Sequence, residues 1–82
     1  MLNGDFMNVD KIKSKLEQNN RVSFKLYSLD YIIEIKNEKI ELYSPTYPND
    51  IRKYNNIDEL LNSFTVYNET LIEVDSKIEK II

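Results

Sequence analysis

An 82-residue chain has room for one domain, which buries only about 60–65% of the surface its unfolded form exposes. With 41% hydrophobic and 30% charged residues and no low-complexity run, it reads as globular and soluble rather than disordered. It has no cysteine, which removes disulfides and suits a reducing cytoplasm, and its net charge of −3 argues against a general affinity for nucleic acid or anionic lipid.

Residues 8–18, NVDKIKSKLEQ, carry Val9, Ile12 and Leu16 three and four apart, the spacing of one helical face. Asn8 is available as N-cap and Asn19-Asn20 as a stop. Residues 1–7 are free to fray, although Phe6 would continue the apolar stripe, and Met7 is an alternative start.

Residues 22–44 alternate with a period of two, because successive side chains on a strand point to opposite faces. Val22, Phe24 and Leu26 form one apolar set, Tyr31, Ile33 and Ile35 a second, and Ile40 and Leu42 a third. Asn37-Glu38 is placed for a two-residue hairpin turn, since Asn tolerates positive φ. Folding there sets Ile35 opposite Ile40 and Ile33 opposite Leu42. An earlier corner near Ser28-Leu29-Asp30 completes a three-stranded antiparallel meander. A slip of one residue would turn these apolar sets into water, so the buried face enforces the register.

Pro45 and Pro48 mark a turn region, and Ile51-Arg52-Lys53-Tyr54 has the alternation of a short fourth strand. Asn56-Ile57-Asp58-Glu59 has the form of a capping box, followed by a short helix with Leu60, Leu61 and Phe64 inward. Thr70-Leu71-Ile72-Glu73 offers a second box, with Asn68 competing as the cap. Leu71, Val74, Ile78 and Ile81 continue at helical spacing, which predicts a last helix. The expected fold is therefore a single α+β domain, with an N-terminal helix, the meander and two C-terminal helices packed on one sheet face.

Several chemistries are excluded by residue type. Without histidine there is no imidazole base and no Ser-His-Asp arrangement; without cysteine there is no zinc cluster and no thiolate nucleophile. A single glycine, Gly4, cannot build a phosphate loop or a dinucleotide fingerprint. No Asp-x-Asp-x-Asp-Gly run exists for Ca²⁺, and no apolar run approaches the ~18 residues of a membrane span. No catalytic residue, metal site or cofactor is therefore assigned.

Two surface groups remain. Glu34 and Glu41 fall opposite each other, a pair that can do acid–base chemistry when burial separates their pKa values. The plainer reading is a solvated strand face on which Lys36 and Lys39 relieve the repulsion. Lys11, Lys13, Lys15, Lys25, Arg52 and Lys53 fan around the chain instead of making one stripe, which counts against a nucleic-acid patch. On the second sheet face Ile32 and Tyr43 are expected opposite each other, with Tyr27 and Leu29 beside them. Such an aromatic and apolar cluster marks interfaces, unless a helix or the 45–50 loop covers it. These four residues are the candidate contact surface, for another protein or for a homodimer.

The segment 54–79, YNNIDELLNSFTVYNETLIEVDSKIE, after a Tyr-rich meander, resembles the helical tail of small uncharacterised proteins of low-GC Gram-positive bacteria and their phages. The abundance of Asn, Ile, Lys and Tyr agrees with an AT-rich genome. The resemblance covers about two-thirds of the chain by apolar spacing and carries over no catalytic residue. It implies an accessory or mobile-element protein. Taken together, the sequence predicts a small non-enzymatic cytoplasmic binding or regulatory module. The alternative is an acidic inhibitor that imitates nucleic acid, which would need clustered carboxylates. A carboxylate-based hydrolase is the remaining reading.

Overall fold

The computed structural model describes residues 7–82. The reading of residues 1–6, Phe6 included, lies outside the described residues. Helix α1 spans Met7–Asn19, followed by strands β1 (Arg21–Leu26), β2 (Leu29–Lys36), β3 (Lys39–Ser44) and β4 (Tyr47–Tyr54). Helix α2 (Ile57–Ser63), the two-residue strands β5 (Thr65–Val66) and β6 (Glu69–Thr70), and a 3₁₀ turn at Asp75–Lys77 complete the chain. The first four strands form one antiparallel sheet in sequence order; β5 and β6 form a small hairpin of their own.

The register is the one the alternation predicts. Ile35 faces Ile40, Ile33 faces Leu42, and Val22 faces Ile33. Hairpin turns at Tyr27-Ser28, Asn37-Glu38 and Tyr67-Asn68 each have two consecutive residues with φ between 51° and 66°. Positive φ at both central residues gives the turn the twist of the strands it joins. The first turn lies earlier than the corner expected near Ser28-Leu29-Asp30, so Leu29 and Asp30 belong to β2.

All the strand residues of the core come from one face. Val22, Phe24, Leu26, Tyr31, Ile33, Ile40 and Leu42 pack with Val9, Ile12 and Leu16 of α1 and with Leu60, Leu61 and Phe64 of the α2 region. Phe24 stacks on Tyr31 at 5.4 Å, and Phe64 meets the Tyr31 ring edge-on at 5.8 Å.

The expected last helix is not formed. The Thr70–Glu73 capping box is: the Thr70 N–H donates to Glu73 Oε1 at 2.8 Å and the Glu73 N–H to Thr70 Oγ1 at 3.3 Å. Leu71, Val74 and Ile78 are buried as their spacing predicts. Beyond the box, however, the backbone turns once and then extends along the free edge of β1. Lys25 and Glu79 exchange two 2.8 Å backbone hydrogen bonds, and Ser23 and Ile82 exchange two more at 2.9 and 3.2 Å. Lys80, at φ 51°, is the extra residue between these pairs.

Helix initiation also differs from expectation. Asn8 lies inside α1 instead of capping it, and the cap comes from Asp75, 66 residues on. Its carboxylate accepts the Val9 N–H at 2.7 Å and the Asn8 N–H at 3.5 Å. The Asn8 side chain in turn donates to the Asp75 carbonyl at 2.7 Å. The stop at the other end is as read: Asn20 takes φ 60° and its N–H closes on the Leu16 carbonyl.

Candidate protein-binding surface

The four residues proposed from sequence do not form one patch. Ile32 and Tyr43 are directly paired across β2 and β3, on the face away from the helices. Leu29 is on the opposite face: it pairs with Leu26 and packs against the core. Tyr27 is not on a strand at all. Its ring, in the first hairpin turn, meets Tyr67 of the β5–β6 turn edge-on at 5.3 Å and lies under Lys77 Nζ at 5.7 Å. It ties the two hairpins together. Strand alternation could not show this, because a turn residue obeys no face rule.

Among the described residues no helix packs on the second sheet face. Along it run Arg21, Ser23 and Lys25 of β1, Asp30, Ile32, Glu34 and Lys36 of β2, Lys39, Glu41 and Tyr43 of β3, and Lys53 of β4. Only Ile32 among them is buried, at 8% exposure; the rest are exposed or half-buried. Ile32 sits between Ser23 and Tyr43 in a cross-strand row and lines a cavity with Pro45, Lys80 and Ile82; it is the buried apolar residue that stands outside the core cluster.

Glu34 and Glu41 are opposite each other on this face, as the sequence register has them. Lys36 Nζ lies 3.8 Å from one carboxylate and 4.0 Å from the other, and Arg21 lies 3.9 Å from Glu34. Lys53 pairs with Glu41 from β4. The carboxylates are therefore interleaved with cations rather than clustered. Acid–base chemistry would need an enclosing pocket, and neither residue lines the best-formed cavities among the described residues. Desolvation, reinforced by the neighbouring Glu34 carboxylate, raises the Tyr43 hydroxyl above its ordinary pKa, so it stays a hydrogen-bond donor.

Neither sheet edge is an open template. The β1 edge is covered by residues 79–82. The β4 edge is interrupted: Leu42 pairs with Arg52 and Ser44 with Tyr47, so residues 48–51 bulge out opposite Tyr43. Such a bulge, with Pro48 and the edge charge of Lys53, discourages pairing with a foreign strand. The bulge exposes Tyr47 and Ile51, at 61% and 45%.

Where the bulge meets the end of α2 there is a cavity of about 230 Å³. Tyr31, Leu42, Phe64 and Val66 line it, with Ser44 and Arg52 as polar members and Tyr47 and Asp50 at its lip. Arg52 lies over the Phe64 ring, 5.6 Å from its centroid. Leu29 and Tyr43, two of the residues selected from sequence, also border this cavity. From sequence, Arg52 belongs to the fourth strand and to a scattered basic set, and neither pattern points to a cavity.

Among the described residues no group of His, Cys, Asp and Glu could hold a metal ion, and no helix is long and apolar enough to cross a membrane. Compared with family models, curated proteins and solved structures, the chain matches none.

Proposed function

We propose that the chain is a small binding module that acts through protein–protein contacts and performs no catalysis. The observation that carries this reading is the one-sidedness of the sheet: both helices and the terminal segment pack on one face or one edge. The other face carries no helix among the described residues, and Tyr43 stands half-buried on it with charges of both signs around it. An aromatic with a polar tip in a charged frame is the composition that interfaces favour. With both edges guarded, a partner is engaged by the face rather than by strand addition. An accessory role in a low-GC Gram-positive bacterium or its phage belongs to the same reading.

The test uses a doubly substituted chain, Tyr43→Ser with Lys36→Glu, leaving the buried Ile32 in place. Partner capture from the source cell, or self-association measured by sedimentation, should be lost while the thermal midpoint moves by only a few degrees, as expected for exposed sites. Unchanged capture and unchanged association would refute the assignment of the face.

A further inference from the structure

The cavity beside Arg52 opens at the β4 margin of the second sheet face, where Tyr43 borders it, and its chemistry selects a narrower class of ligand. We infer that it receives a single carboxylate side chain, Glu or Asp, presented by the protein partner; this rests on the reading of the chain as a protein-binding module. At about 230 Å³ the cavity is smaller than the ~300–1,000 Å³ of small-molecule sites and matches one inserted side chain.

The polar groups around the cavity are mainly donors. Arg52 is paired with no carboxylate within 4.0 Å among the described residues. Stacking over Phe64 and a hydrogen bond to the Tyr54 hydroxyl hold the guanidinium, and its remaining N–H groups are left for an acceptor. The Tyr31 hydroxyl stays protonated, because burial raises its pKa, with Tyr67 adding to the effect. A planar carboxylate takes two N–H donors from guanidinium and a third from a phenol, a geometry that a neutral amide or a lysine does not complement. Leu42, Phe64 and Val66 supply the apolar wall that a Glu methylene stem would cover.

Asp50 sets the limit on the ligand's charge. It stands exposed at the lip, so a second anionic group arriving with the first would be repelled. That disfavours a nucleic-acid backbone or a polyacidic tail and favours an isolated carboxylate, whose flanking backbone N–H groups Asp50 could accept.

The probe is N-acetyl-glutamate N-methylamide, titrated into the ¹⁵N-labelled protein at millimolar concentrations beside its glutamine analogue. The expected result is saturable movement of the Tyr31, Ser44, Arg52 and Thr65 amide signals with the glutamate probe, and at least tenfold weaker binding of the glutamine one. Arg52→Gln should cause a similar loss. Asp50→Asn, on the exposed lip, should tighten binding about threefold by removing the like charge. Equal responses to the two probes, or shifts centred on Arg21 and Lys25 instead, would overturn the inference. So would Arg52→Gln or Asp50→Asn leaving the affinity unchanged. A partner whose capture depends on Lys36, which does not line the cavity, while the glutamate probe fails to bind would refute this pocket and leave the binding-module reading standing.

Discussion

Tyr27, Ser28, Asn37, Glu38, Tyr67 and Asn68 hold positive φ in three turns that contain no glycine. Each non-glycine residue in that region costs roughly 1–2 kcal/mol, less for Asn, so the turns store strain that the flanking strand pairs offset. Glu38 is exposed, and its carboxylate has no ion pair with another of the described residues. Glu38→Gly should therefore raise stability by about 0.5–1 kcal/mol, readable as a higher midpoint in urea unfolding. A loss of stability would show that Glu38 contributes more through its side chain than its backbone costs. Tyr31 supplies a second residue-level expectation. Its folded pKa is raised, first by burial, so the protonated phenol is favoured in the native state. Stability from that preference is complete below the unfolded value near 10 and is lost as pH rises through the higher folded value. The thermal midpoint should fall above about pH 10, and less steeply in Tyr31→Phe. A profile identical in the two proteins would assign the alkaline loss to other tyrosines, such as Tyr43 and Tyr54, whose pKa values burial also raises.

At the scale of elements, the terminal segment is held to α1 by Asp75. Replacing this buried carboxylate with Ala leaves the Val9 and Asn8 N–H groups without their acceptor and should cost about 1–2 kcal/mol. Hydrogen exchange should accelerate in the first turn of α1 and at the Lys25 and Ser23 amides together, because the same segment serves both. Acceleration in α1 alone would mean that residues 79–82 hold the β1 edge independently. The same region marks where the sequence stopped being legible. Strand pairing and hairpin register could be read because each depends on alternation within a few residues, as with Ile33 and Leu42. The spacing of Leu71, Val74 and Ile78 correctly identified buried residues, and the Thr70–Glu73 box formed, yet no helix followed. Ile72, Val74 and Ile78 are β-branched and support a helix weakly. Two contacts remote in sequence, Asp75 with α1 and Glu79 with Lys25, take the backbone elsewhere, and no local pattern encodes either. The candidate surface divides in the same way: Ile32 opposite Tyr43 is a matter of register, whereas the places of Tyr27 and Leu29 depend on where the first turn falls.

For the molecule as a whole, packing both helices on one side of the sheet gives two surfaces of different character. One is helical and closes the core. The other is a charged face that carries Tyr43, bounded by an edge the chain covers itself and an edge that a bulge disrupts. If a partner contacts this second face, photo-crosslinking in the source cell will locate it, with a benzoylphenylalanine at position 43 in one protein and at the exposed helical position 17 in another. The expected result is a discrete higher-mass adduct from position 43 and none from position 17. An adduct from position 17 alone, or equal labelling from both, would contradict it.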